Sequence, residues 1–262
     1  MGRPEENPAR KSAPLPVFVA VLIALNFLLY LPALDNGFSL DDFNWLERAR
    51  FAPSWWQFVF SVEPGQVLNP VPRVLVLEFL RIFGTDPLPF HLAVLALHLV
   101  NVGMLLVLVD RLVGTRTIAV LAALLFSLQT SYHEAVFWIS AFPHALTAGF
   151  CLATLLSARS YLARGTSLSL ILTGLGAIAG LLTKASFFVL LPLVLLLPGP
   201  LGRRKCLGVA SAGLILAAVI LNFTFGGGSS YLIERGFYRP GFHMVTNLAE
   251  YLGWLVLPID AV

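Results

Sequence analysis

Long apolar stretches recur along most of this chain, and they constrain its fold more than any other feature. A helix needs about 20 apolar residues to cross the hydrocarbon core of a bilayer. Only 12% of the 262 residues are charged, whereas soluble domains carry about 25%. The sequence therefore predicts an all-α polytopic membrane protein.

Eight stretches are candidate spans, and the sixth and eighth are the weakest. They cover residues 15–34, 90–112, 117–130, 141–161, 167–183, 187–197, 207–225 and 245–258. Residues 1–14 are predicted to form a polar cytoplasmic tail. Residues 15–262 are predicted to form one transmembrane domain, in which residues 35–88 are the first long loop. Because the chain stops without a polar tail, we expect it to be part of a longer protein.

Lysine and arginine indicate the orientation, because they concentrate in cytoplasmic short loops. Among the short loops, the basic residues lie in alternate loops, with Lys184 as the exception, and six further arginines lie in the two long outer segments, where the rule is weak. This pattern places the N-terminus in the cytoplasm and residues 35–88 on the extracytoplasmic side. The expected location is a bacterial-type inner membrane with the site on its outer face.

The first long loop is rich in aromatic residues, which favour the membrane–water interface. Residues 42–51, 54–61 and 73–84 are predicted to form short helices that lie in this interface. Ser39 is the predicted N-cap of the first helix. Asp41 and Asp42 would then occupy its first turn, where carboxylates interact favourably with the helix dipole.

Asp41 and Asp42 lie side by side just after the first apolar span. The pair is either a capping feature at the interface or a source of a general base or metal ligand. Adjacent residues of a helix point about 100° apart. One carboxylate would therefore face a pocket while the other caps the helix or binds a metal.

Three further features lie on the predicted outer side of the membrane. His133 and Glu134 occur in a tight turn near Trp138, and they are either functional groups or a loop tip that faces water. Lys184 lies in a very short hairpin, where it holds a phosphate or extends its amine to the interface. Arg73 lies on the same side and is a second candidate for phosphate binding.

Other conspicuous residues are predicted to pack rather than react. His98 is interpreted as an interhelical hydrogen-bonding group, and Gly176 and Gly180 form a GxxxG step typical of close helix packing. Cys151 and Cys206 are interpreted as inert thiols in or beside apolar spans. The net charge of +3 contains no run basic enough for nucleic acid.

The order of these motifs resembles that of the polytopic GT-C glycosyltransferases, most closely the protein O-mannosyltransferase-like branch. The motifs that carry the resemblance are Phe-Ser-Leu-Asp-Asp at 38–42, Asn-Pro-Val-Pro-Arg at 69–73, Gly-Thr-Asp-Pro-Leu-Pro-Phe-His at 84–91, His-Glu-Ala-Val-Phe-Trp-Ile-Ser at 133–140, and the hairpin with Lys184. After Trp138-Ile139 the family usually has arginine and aspartate, but this chain continues through Pro143 and His144.

The resemblance implies a GT-C-like fold that transfers a sugar from a polyprenyl-phosphate donor to a protein or glycolipid acceptor, with inversion at the anomeric carbon. It implies that Asp41 or Asp42 acts as the catalytic carboxylate. Lys184 and, second, Arg73 would bind the donor phosphate.

The resemblance also implies that a cleft is lined by His133, Glu134, Trp138 and His91. A divalent metal ion, Mg²⁺ or Mn²⁺, is the candidate cofactor. Its candidate ligands are Asp41, Asp42, His133 and Glu134.

Two non-enzymatic alternatives stay open on the sequence alone. The chain is either a transporter or flippase of a lipid-linked substrate, or a relative that has lost activity. Transporters keep ionisable groups or broken helices near the bilayer midplane. Here the charged residues concentrate at the predicted outer edge, which favours interfacial chemistry.

Overall fold

The computed structural model describes residues 15–61, 68–129 and 133–225, and within these ranges the protein is helical and contains no strand. The predicted all-α fold is therefore confirmed. The α-helices in chain order are α1 (Leu15–Tyr30), α2 (Asp41–Phe51), α3 (Trp55–Phe60), α4 (Pro70–Phe83), α5 (Pro87–Val113), α6 (Arg116–Leu128), α7 (His133–Phe137), α8 (Phe142–Arg164), α9 (Ser167–Leu181), α10 (Leu190–Leu196) and α11 (Leu201–Phe225). Short 3-10 helices cover Leu31–Asp35, Ile139–Ala141 and Ala185–Val189.

Four helical segments are long and apolar enough to cross a membrane. They are Pro16–Asp35, Pro87–Val113, Ile139–Arg164 and Leu201–Leu221. These segments contain all or most of α1, α5, α8 and α11, and they coincide with four of the predicted spans. Their length and composition indicate a membrane protein.

The prediction of about eight spans is not confirmed. Three of the other predicted spans form α6, α9 and α10, which have 13, 15 and 7 residues. A helix rises 1.5 Å per residue, so these helices are about 10 to 23 Å long, against a hydrocarbon core of about 30 Å. Apolar composition predicts burial but does not reveal where a turn interrupts a helix. The eighth candidate, residues 245–258, lies outside the described residues.

Helices α5 and α8 form the centre of the described bundle, with α1 and α6 against α5 and with α9 and α10 against α8. The approach of α9 to α8 is close, because a Cβ added at Gly176 would lie 2.5 Å from Thr154 Oγ1. A Cβ at Gly180 would overlap the buried ring of Phe187. The predicted packing role of both glycines is confirmed.

A buried polar cluster joins α1, α5 and α6. His98 Nε2 lies 3.4 Å from Asn26 Oδ1, and the Tyr30 hydroxyl donates to the Ser127 carbonyl at 2.8 Å. Each of these side chains thereby finds a partner on a neighbouring helix, as apolar surroundings require. The predicted interhelical role of His98 is confirmed.

Helices α2, α3 and α4 form where the three short helices of the first loop were predicted. Their apolar side chains make one cluster with the start of α5 and of α8. Trp45 of α2, for example, packs edge-on against Phe142 at 6.1 Å between ring centroids. The three helices are therefore anchored over the N-terminal ends of α5 and α8, where the candidate site lies.

Candidate functional site

Asp42 ties the start of α2 to the turn that precedes α8. Its side chain is only 2% exposed. One carboxylate oxygen accepts from the Ser39 amide at 2.8 Å, and the other accepts from the Ser140 amide at 2.6 Å and from the Ser140 hydroxyl. We call these three bonds the Asp42–Ser140 latch, and the two bonds from Ser140 connect residues 98 positions apart in the sequence.

The predicted capping by Ser39 is wrong. The cap position of α2 is Leu40, whose φ is +46°, and no side chain caps the helix there. The described ranges hold no other non-glycine residue with positive φ. The Asp42 carboxylate instead accepts from the Ser39 amide, because the sharp turn at Leu40 brings that amide back over the first helical turn.

A cavity of about 1240 Å³ lies between α2, the start of α8 and the turn that carries Lys184. Asp41 lines this cavity and is exposed to it, with one 3.3 Å hydrogen bond from Asn44. The two adjacent aspartates thus point in different directions, as the 100° spacing of a helix predicts. Asp41 has an accessible carboxylate that can take a proton, whereas the carboxylate of Asp42 is occupied by the latch.

Lys184 enters the same cavity from the turn between α9 and α10. Its Nζ lies 2.7 Å from Nε2 and 3.3 Å from Nδ1 of His144, the third residue of α8. Partial burial lowers the pKa of the Lys184 ammonium, because removal from water disfavours the charged form. No carboxylate of a described residue forms an ion pair with it.

Positive charges on both Lys184 and His144 would be unfavourable at this separation. Two unit charges 2.7 Å apart would repel by about 6 kcal/mol at an effective dielectric constant of about 20. A charged Lys184 therefore requires a neutral imidazole beside it. Such an imidazole can accept a hydrogen bond from the ammonium.

Arg73 also lines the cavity, but its guanidinium is occupied by hydrogen bonds within the protein. The side chain is 7% exposed. It donates to the Phe58 carbonyl at 2.9 Å, to the Ser61 carbonyl and hydroxyl at 2.5 and 2.9 Å, and to Asn69 Oδ1 at 2.9 Å. These bonds satisfy backbone carbonyls at the C-terminal end of α3, which have no partner within that helix.

Two predicted cleft residues are not among the described residues that line the cavity. His91 is buried at the start of α5, near the backbone of Asn36 and Gly37 and near Asp42. Neither of its ring nitrogens reaches hydrogen-bonding geometry with a described group. Trp138 Nε1 donates to the Ser39 carbonyl at 3.3 Å and so supports the turn before α2.

The metal prediction depends on side chains that are only partly described. His133 and Glu134 lie in α7, but their side chains lie outside the part of the chain that the structure describes. Among the described side chains, no three of the types His, Cys, Asp and Glu come together. Of the four predicted ligands, Asp41 is the one whose carboxylate is both described and accessible.

An apolar groove of about 600 Å³ continues from the cavity. His144 and Ser186 line both the cavity and the groove. The groove runs between α5, α8 and α10, and its apolar lining includes Leu108, Leu152, Leu155, Leu193 and Leu197. The cavity and the apolar groove therefore adjoin at His144 and Ser186.

His144 and Ser140 were not predicted as site residues. His144 is an ionisable side chain at the start of a predicted span, and Ser140 precedes it by one turn, so both positions were conspicuous. Their partners lie 40 and 98 residues away, however. Local spacing does not identify such partners.

Comparison with known proteins adds no relative. No model of a known protein family matches this chain, and no curated protein or solved structure matches it either. The resemblance to GT-C glycosyltransferases therefore stays a prediction based on the motifs.

Proposed function

We propose that this protein is a membrane glycosyltransferase that transfers a sugar from a polyprenyl-phosphate donor to a hydroxyl of a protein or glycolipid acceptor. The observation that carries the proposal is the junction of the charged cavity with the apolar groove at His144 and Ser186. The cavity offers an accessible carboxylate, Asp41, and an ammonium, Lys184. The proposed reaction needs a carboxylate as a base and a cation beside the phosphate.

The proposed reaction is a direct displacement. The acceptor oxygen forms a bond to the anomeric carbon while the bond from that carbon to the phosphate oxygen breaks. Asp41 takes the proton from the acceptor hydroxyl, which is general base catalysis. The electron pair of the broken bond stays on the lipid phosphate, and the Lys184 ammonium stabilises the negative charge that develops there.

The environment of Lys184 supports this role. Its partial burial lowers the pKa of the ammonium and leaves the charged form poorly solvated. A phosphate beside it would offset that cost, because an opposite charge favours the charged form. A partly buried cation without a described carboxylate partner is thus suited to an anionic ligand.

The groove supports a lipid-linked donor over a soluble one. A polyprenyl phosphate has a charged head and an apolar tail, and both parts have a complementary surface here. A soluble nucleotide-sugar would use the cavity alone and would leave the groove exposed. The exposed aromatic side chains of α2 and α3, which include Phe51, Trp55 and Trp56, also suit a site at the membrane–water interface.

We further propose that the cavity faces the extracytoplasmic side. The arginines and lysines of the short loops support this orientation, since they concentrate at the opposite ends of the spans. Arg203, for example, donates to the Leu162 carbonyl at the C-terminal end of α8, whereas His144 and the cavity lie at the N-terminal end of that helix. Accessibility of a single cysteine introduced at Asn44 to an impermeant thiol reagent in sealed vesicles tests the orientation.

Sugar transfer tests the proposed function directly. Membranes that contain the protein are incubated with a panel of radiolabelled polyprenyl-phosphate sugars, with and without Mg²⁺ or Mn²⁺, and release of labelled sugar is measured. We expect Asp41→Asn to lower release by about 10²- to 10⁴-fold, the usual contribution of a general base. Glu78→Gln is the matched control, because Glu78 is an exposed carboxylate on α4 that lies outside the cavity lining.

The same assay separates the enzyme from its alternatives. Equal release by the wild type and Asp41→Asn would refute the assigned base. No release from any donor by folded, inserted protein would refute the glycosyltransferase. Movement of an intact labelled donor across vesicles by that protein would then favour the flippase.

A further inference from the structure

The partly buried ammonium of Lys184 has an unusual partner, the imidazole of His144. Lysines removed from water usually pair with carboxylates, but the described partner of Lys184 is an imidazole at 2.7 Å. A carboxylate would orient the ammonium and also neutralise it. A neutral imidazole orients the ammonium and leaves its positive charge available.

We propose that His144 is a positioning residue for the donor phosphate, which it serves by holding the Lys184 ammonium against its imidazole at the junction of the cavity and the groove. This inference rests on the proposed function. An ammonium has three N–H donors. With one donor directed to the imidazole, the other two are held toward the place where a lipid phosphate would sit.

The position of His144 supports this assignment. It is exposed at the start of α8, next to the buried residues Phe142 and Pro143, so the backbone that carries it is fixed. It lines both the cavity and the groove, as does Ser186 two residues after Lys184. The boundary between a phosphate and an isoprenoid tail would therefore fall beside the imidazole.

Ligand binding tests the inference without a catalytic step. Farnesyl phosphate and farnesol are titrated into the protein in nanodiscs, and binding is followed by tryptophan fluorescence, because Trp45 lines the cavity. We expect His144→Leu to weaken binding of farnesyl phosphate by about fivefold to tenfold, because the Lys184 side chain is then no longer held in place and must be ordered when the phosphate binds. Binding of farnesol should not change. His144→Asn retains an acceptor and should stay within about threefold of the wild type.

Chemical labelling of Lys184 provides a second readout that does not depend on the donor. A neutral amine reacts with an acylating reagent, and a hydrogen-bond acceptor stabilises the unreactive ammonium. We therefore expect His144→Leu to accelerate acylation of Lys184 several-fold, measured by mass spectrometry. The exposed Lys205 on the same chain is the internal reference and should keep its rate.

The two readouts distinguish failure of this inference from failure of the proposed function. Unchanged farnesyl phosphate binding and unchanged Lys184 acylation in His144→Leu would overturn the inference. Faster acylation in a protein that binds no farnesyl phosphate would overturn the proposed donor and the phosphate part of the inference, while supporting the pairing. Equal weakening of farnesyl phosphate and farnesol would show that His144 only packs against the tail.

Discussion

Replacement of Asp42 by alanine should destabilise the folded protein by about 2–4 kcal/mol. The carboxylate accepts three hydrogen bonds, from the Ser39 amide and from the amide and hydroxyl of Ser140. A hydrogen bond to a charged group contributes about 1.5–3 kcal/mol. Since Ser39 is exposed and Ser140 is half-buried, water can replace part of what the carboxylate supplies. The expected loss therefore lies well below three full contributions.

A thiol-reactive fluorogenic dye measures this loss during thermal unfolding in detergent micelles. Cys151 is half-buried in α8 and becomes reactive on unfolding, whereas Cys206 is exposed and is removed by Cys206→Ser in every variant. A loss of 1 kcal/mol lowers the midpoint of a chain of this size by about 2–4 °C. Asp42→Ala should therefore lower the midpoint by roughly 5–15 °C.

Asp41→Ala is the matched control for this measurement. Asp41 is the adjacent residue of the same helical turn, but its described hydrogen bond is a single exposed one, at 3.3 Å from Asn44. We expect its replacement to change stability by less than about 0.5 kcal/mol. In a double-mutant cycle, Asp42→Ala and Ser140→Ala should be coupled. Equal midpoints for the Asp41 and Asp42 variants, or additive effects in the cycle, would refute the latch.

Three further predictions follow from the geometry. Gly180→Ala should destabilise the protein by about 1–3 kcal/mol, because the added methyl group would overpack the contact. Gly174→Ala should leave stability unchanged, because a Cβ at Gly174 meets no atom within 4 Å. Equal midpoints for the two variants in the dye assay would contradict this prediction. Arg73→Met should lower the free energy of unfolding by about 2–4 kcal/mol, because hydrogen bonds from a charged group are lost. Arg81→Met, at an exposed arginine, should lower it by less than about 0.5 kcal/mol. Similar midpoints for the two variants would show that the hydrogen bonds of Arg73 contribute little. Above about pH 8 the phosphate is already dianionic. Farnesyl phosphate binding should therefore weaken as the pH rises through the lowered pKa of Lys184, because the ammonium loses its proton. The same pH profile in a Lys184→Met variant would contradict this prediction.

The chemistry of the aspartate pair was predictable only in part. The position of Asp41 and Asp42 in the first turn of a helix, and their different directions, follow from helical periodicity. The sequence did not indicate which of them faces the cavity. That was decided by Ser140, which lies 98 residues away and draws Asp42 inward.

The predicted phosphate-binding residues were likewise predictable only in part. Lys184 was singled out because it interrupts the pattern of basic residues, and it lines the cavity. Arg73 was selected because it lies on the same predicted side as Lys184. Its contacts with Phe58, Ser61 and Asn69 could not be read from its own neighbourhood, because two of these partners belong to the region of another helix.

The sequence by itself determined the helical class, the four long apolar segments and the three short helices of the first loop. These features depend on local composition, on the 3.6-residue period and on turn residues, all of which act over a few positions. Only the tertiary structure decided where the shorter apolar helices end, which aspartate is accessible, and that His144 contacts Lys184. These outcomes depend on packing between helices that are distant in the chain, where burial and available partners outweigh the preference of any single residue.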